Sequence, residues 1–142
     1  MKRSEPLAPL SRQHHQGLFA ALRLKRADPA TAVDARRAFL DFWESEGREH
    51  FRIEEDLLLP AYARHGAHDH PAVVKVLTDH VDLRRRAADV AATESVDPKL
   101  LHELGERLER HIRYEERVLF PLIEAALPDD DLAGVLRASG HG

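Results

Sequence analysis

Two stretches decide the fold: His50-Phe51-Arg52-Ile53-Glu54-Glu55-Asp56-Leu57-Leu58-Leu59-Pro60 and His111-Ile112-Arg113-Tyr114-Glu115-Glu116-Arg117-Val118-Leu119-Phe120-Pro121. Six of the eleven positions are identical, and they include the His, the Arg, both Glu and the Pro. Residues four apart on a helix lie one turn apart on the same face, so His50 with Glu54, and His111 with Glu115, each present an imidazole and a carboxylate to one point. Both pairs interrupt apolar stripes at helical spacing. The first stripe is Leu40, Trp43, Gly47, His50, Glu54, Leu57 and Ala61; the second is Leu101, Leu104, Leu108, His111, Glu115, Val118 and Leu122. A carboxylate on a core-facing stripe is costly unless it is coordinated or neutralised.

Outward from these segments, proline and glycine divide the chain into long helical stretches. The patterning predicts helices over about Ser4 to Arg26, Pro29 to His65, Pro71 to Glu94 and Pro98 to Leu127, with a short last helix over about Asp130 to Ala138. Asp28-Pro29 and Asp97-Pro98 pair an N-cap residue with a proline suited to the first turn, and Asp69-His70-Pro71 is a looser version. Pro60 and Pro121 are expected to kink or end their helices. Long helices with short connections imply an all-α fold, an antiparallel up-down four-helix bundle with a short C-terminal helix, forming one domain over residues 1–142.

Composition narrows the chemistry. The 142 residues include no cysteine, which excludes thiolate zinc sites, Cys-ligated iron–sulfur clusters and thiol nucleophiles. A net charge of −4 with both signs interspersed gives no footprint for nucleic acid or an anionic membrane. No apolar run approaches the ~20 residues that span a bilayer, and the N-terminus lacks the pattern of a secretory signal, so a cytoplasmic location is expected.

The chain has 10 histidines, and their positions matter. His80 sits inside the third stripe, Val73, Val76, His80, Leu83, Ala87 and Val90. Helix 1 offers His14 or His15; Leu7 and Leu10 upstream of His14 favour it. The candidate ligand set is therefore His14, His50, Glu54, His80, His111 and Glu115. Imidazoles and carboxylates without thiolate suit two first-row metal ions, iron, manganese or zinc, with both Glu as bridges and positions left for a bridging oxygen species and an outside ligand. The alternative is a buried hydrogen-bond network.

A third His-x-x-x-Glu pair, His102 and Glu106, lies on a charged face and reads as a solvated pair. His65, His68 and His70 read as a solvated connector, and Trp43, Tyr62 and Tyr114 as packing, with Tyr114 also a candidate hydrogen-bonding group near the site. Glu55 and Glu116 are placed either to support the ligands or to face solvent. No Glu-x-x-His occurs, which disfavours a ferritin-type site, and no His-Glu-x-x-His occurs, which disfavours a zinc protease.

The doubled motif, with Leu10-Ser-Arg-Gln-His14, Thr78-Asp-His80 and the trailing Leu58 to Pro60 and Phe120-Pro121, resembles the hemerythrin-like, HHE cation-binding domains over residues 5 to 127. The pattern is particularly similar to the C-terminal domain of the repair-of-iron-centres proteins, whose N-terminal Cys-bearing domain has no counterpart here. The resemblance implies a four-helix di-iron fold that meets oxygen, nitric oxide or oxidative stress. Oxygen-carrying hemerythrins place a fifth His one turn after the helix 3 ligand. That position is Arg84 here, which stays charged and cannot ligate. Three functions follow: an iron-handling or small-ligand-sensing protein, a redox enzyme using the same site on oxygen or peroxide, and a partner-binding bundle. A reversible oxygen carrier fits Arg84 least.

Overall fold

The computed structural model describes residues 3–137, and among these it is all-α with no strand. A single 3-10 turn, Glu5–Leu7, leads into α1, Ala8–Lys25. Helix α2 spans 32–62 as one rod, in which the α-helical runs Ala32–Phe42, Arg48–Ile53 and Leu59–Tyr62 are joined by π-turns at Trp43–Gly47 and Glu54–Leu58. Helix α3 is Pro71–Ala92. Helix α4 spans 98–126, with Pro98–Tyr114 and Phe120–Ala126 joined by a π-turn at Glu115–Leu119. The short α5, Asp129–Arg137, follows; the expected end of this helix at Ala138 lies outside the described residues.

The helix starts follow local hydrogen bonding. Asp97 caps α4 by accepting from the Lys99 amide at 2.9 Å, as its position before Pro98 predicts. At α3 the cap is His70 rather than Asp69, its Nδ1 accepting from the Ala72 amide at 3.0 Å. Asp28 does not open α2 at Pro29. Its Oδ1 accepts from the amides of Ala30 and Thr31, which stabilises a turn and delays the helix to Ala32.

Neither proline ends its helix. In both repeats a π-turn stands immediately upstream: the Leu59 amide donates to the Glu54 carbonyl, and the Phe120 amide to the Glu115 carbonyl, five residues back. Widening the turn there relieves the clash between the proline ring and the preceding carbonyls. The extra residue also rotates the buried face. The stripe expected to continue through Leu57 and Val118 instead buries Leu58 and Leu119 completely and leaves Val118 40% exposed.

Helices α1 and α4 form the most intimate pair. Arg3 meets Glu124, Ser11 and His14 meet Glu116, and Lys25 meets Glu109, so the two run in opposite directions. Glycines permit the approach: a Cβ at Gly105 would lie 2.8 Å from the Ala21 carbonyl oxygen, and one at Gly17 would lie 2.7 Å from Ile112 Cδ1. His102, expected as a solvated partner of Glu106, is half-buried and donates to the Ala27 carbonyl at 2.6 Å, tying α4 to the end of α1.

The apolar interior is in two parts. One cluster gathers Leu10, Leu58, Phe120 and Ile123 with Leu132 and Leu136 of α5, which closes that end; the other gathers Leu24, Phe39, Trp43, Leu83, Leu104 and Ile112. Between them, the buried polar residues are His14, His50, Glu54, His80, His111 and Glu115. No helix among the described residues is long and apolar enough to cross a membrane.

Candidate metal centre

These six are the residues that the sequence singles out, and the structure brings all of them together. Helix α1 contributes His14, which is buried in this layer, while its neighbour His15 is exposed. The repeat in α2 contributes His50 and Glu54, α3 contributes His80, and the repeat in α4 contributes His111 and Glu115. Both Glu side chains have no exposure at all, and each stands at the first position of a π-turn.

The ligand-type atoms fall into two overlapping groups of four, each within 4.8 Å: His14, His50, Glu54 and Glu115, and Glu54, His80, His111 and Glu115. Each glutamate gives one oxygen to each group. On the α1–α2 side, His14 Nε2 donates to Glu115 Oε1 at 2.8 Å and His50 Nε2 to Glu54 Oε2 at 3.0 Å. On the α3–α4 side, His80 Nε2 stands 3.1 Å from Glu54 Oε1 and His111 Nε2 stands 3.3 Å from Glu115 Oε2. Those four atoms are close but misaligned, and they are buried without a hydrogen-bond partner. Orphaned lone pairs and ring nitrogens converging on one point fit a cation better than a hydrogen-bond network, which would satisfy its members. Neutral imidazole with carboxylate suits iron, manganese or zinc.

The opposite ring nitrogens are all fixed. His14 Nδ1 donates to Glu116 at 2.6 Å, His50 Nδ1 to Gln13 at 2.8 Å, His80 Nδ1 to Glu55 at 2.6 Å and His111 Nδ1 to Asp79 at 3.1 Å. Each bond orients its ring and makes Nε2 the atom available to a metal. Glu55 and Glu116 are thus supports rather than surface groups. Gln13 and Asp79 are supports that sequence reasoning missed, although their positions immediately before His14 and His80 carried a signal: both occupy the same place relative to a ligand.

Cations outside balance these supports. Arg84 pairs with Glu55 at 3.0 Å and lies over the Phe51 ring at 5.4 Å, and Phe51 in turn stacks on His80 with centroids 3.8 Å apart. Lys75 holds Asp79 at 3.2 Å and covers the Tyr114 ring at 5.2 Å, so Tyr114 serves as packing. The solvated reading of the connector holds for His65 and His68, which are exposed.

Without metal, the carboxylates control protonation. Burial alone would lower the histidines, but Glu54 and Glu115 overcome it and carry His50 up to about 10; Glu115, Glu54 and Glu55 carry His80 to about 11, and Glu115 and Asp79 carry His111 to about 8. His14 moves up as well, against burial, through Glu115 and Glu116. Burial would push Glu115 upward, yet His111, His14 and His50 hold it well below the ordinary carboxylate range.

Comparison with known proteins agrees with this geometry. Neither the curated proteins nor the solved structures gave a match to the chain. The family model of the hemerythrin HHE cation binding domain matches residues 9–123, a span that contains all six converging side chains. The chain belongs to the hemerythrin HHE cation-binding domain family.

Proposed function

We propose that the protein binds two metal ions, iron in the first place, between His14 and His50 on one side and His80 and His111 on the other, with Glu54 and Glu115 shared. The observation that carries this reading is the pair of overlapping four-residue groups, since six donors exceed what one octahedral ion with an open position would use. The opposed pairings of α1 with α4, and of Asp79 and Arg86 on α3 with His111 and Glu103 on α4, support an antiparallel up-down four-helix bundle as the frame. Such a frame holds ligands from facing helices rigidly.

A di-iron centre supplies redox chemistry and a place for a small ligand such as oxygen or nitric oxide. The chain's own residues bury that centre, orient four imidazoles through their Nδ1 bonds and close it off with apolar clusters on either side. Iron handling, or a response to oxygen, nitric oxide or oxidative stress, follows as the role. Arg84, engaged by Glu55, supplies no fifth imidazole, and this disfavours a reversible oxygen carrier.

Metal analysis of protein made in iron-replete medium tests the proposal. Wild type is expected to carry about two ions per chain, and His50→Ala and Glu115→Ala markedly fewer. Equal metal content in all three defeats it.

A further inference from the structure

Helix α3 carries a second apolar stripe that its own bundle does not use. Its inner face buries Val73, Val76, His80, Leu83, Ala87 and Val90. On the opposite face Val74, Leu77 and Val81 stand 50%, 40% and 71% exposed. Steps of three and four residues put these three on one line along the helix. Thr78 lies on the same line, and its hydroxyl donates to the Val74 carbonyl at 2.8 Å, so its polar side-chain atom is already satisfied within the helix. Packing into the bundle needs one stripe per helix, and Val, Leu and Val at this spacing are what a helix presents to another helix.

The charges beside the stripe select the partner. Lys75 and Asp82 flank it on one side, and Arg84 and Arg85 follow at its C-terminal end. Mixed signs at its border suit neither an anionic membrane nor a nucleic acid. A second copy of α3 running antiparallel fits all of these positions. A two-fold axis between Leu77 and Thr78 sets Val74 against Val81 of the second copy, Leu77 against Thr78, and Lys75 within one turn of Asp82. Lys75 and Asp82 also have partners in their own chain, Asp79 at 3.2 Å and Arg86 at 3.1 Å, so the cross pair steers register more than it adds affinity. Parallel pairing would instead set Arg84 and Arg85 against their own copies, and like charges facing each other across an interface oppose association.

We infer that the exposed face of α3 is a self-association surface, on which two copies of this chain meet as an antiparallel, two-fold pair along Val74, Leu77, Thr78 and Val81. The inference does not rest on the metal-centre reading. One short stripe is smaller than the roughly 1,200–2,000 Å² of stable interfaces, so the dimer forms reversibly with concentration.

Sedimentation equilibrium of the full chain between about 1 μM and about 1 mM tests it. Wild type is expected to move from the 16.1 kDa mass of one chain toward twice that mass. Val81→Glu and Val74→Lys are each expected to hold the protein at the monomer. Combining Val74→Lys with Val81→Glu is expected to restore the dimer, because the antiparallel register sets each new cation against a new carboxylate of the second copy. Phe19→Glu, at a 67% exposed position on α1, should associate as wild type does. All three positions are exposed, and unchanged helical circular dichroism checks that each variant folds. Wild type that stays monomeric or grows beyond a dimer overturns the inference. So do single variants that still dimerise, a folded double variant that stays monomeric, or a loss in Phe19→Glu equal to that in Val81→Glu. Vesicles containing phosphatidylserine test the other occupant: binding by wild type that Val81→Glu abolishes would assign the stripe to a membrane and overturn the inference as well.

Discussion

On the α1–α2 side of the centre, His14 donates its Nδ1 proton to Glu116 and His50 donates to the neutral amide of Gln13. On the α3–α4 side, His80 donates to Glu55 and His111 to Asp79, so both supports are carboxylates. The plan is the same twice over. The second Glu of each repeat serves a histidine on a helix outside the repeats, and the residue before that histidine serves the histidine of the other repeat. The halves differ at one pair, Gln13 against Asp79, and in their inner atoms: the first half pairs its Nε2 atoms with the glutamates, whereas the second leaves its four inner atoms without partners. The half with two anionic supports and unsatisfied inner atoms therefore has more to gain from a cation.

The largest way to break this comparison is to remove the group that both halves share. Glu115→Ala is expected to abolish metal binding in both halves and to destabilise the metal-free protein by about 3 kcal/mol, because His14, His50, His80 and His111 lose an anionic neighbour in a buried layer. Metal analysis and denaturant melts check the two parts separately.

Asp79→Asn makes the second half resemble the first. Losing a carboxylate support costs roughly 10- to 100-fold in metal affinity, and the loss is expected in one of two binding steps when the metal-free protein is titrated against a competing chelator. Gln13→Glu is the sharpening counterpart and is expected to tighten the other step. Equal effects of Asp79→Asn on both steps would mean that the halves are not separate.

Protons and metal compete for the same Nε2 atoms, which gives the pH dependence its sign. The folded values of His50, His80 and His111 lie above the ordinary 6.5, at about 10, about 11 and about 8. Their protonation therefore stabilises the metal-free fold fully below about pH 6.5, and this contribution fades as pH rises through about 8 to 11. The metal-free melting temperature should fall over that window. Metal affinity should rise over it, with proton release on binding that a weakly buffered titration detects. A flat metal-free profile would contradict the coupling.

The smallest effects are expected outside the ligand layer. Arg84→Gln removes a half-exposed partner of Glu55 and is expected to cost under about 1 kcal/mol with metal retained. His102→Ala loses its bond to the Ala27 carbonyl, about 1 kcal/mol, and leaves the metal-induced stabilisation intact.

Much of this was legible before any coordinates. The six inner residues are visible because each breaks an apolar stripe, and a helix turns sequence spacing directly into a shared face. The π-turns were not legible: spacing of three and four assumes a uniform helix, and the extra residue after Glu54 and Glu115 moved burial from Leu57 to Leu58 and from Val118 to Leu119. Gln13 and Asp79 were missed because a half-buried polar residue on a helix flank looks like a solvated one until the opposing helix is placed. His102 was misread for the same reason, since its partner is a backbone carbonyl 75 positions away.

Anomalous diffraction from crystals of the iron-loaded protein tests the central claim most directly. Two iron peaks are expected in the polar layer between the apolar clusters, one against His14 and His50 and one against His80 and His111, with Glu54 and Glu115 reaching both. A single peak in that layer, or iron only at the His65 to His70 connector, would contradict the account.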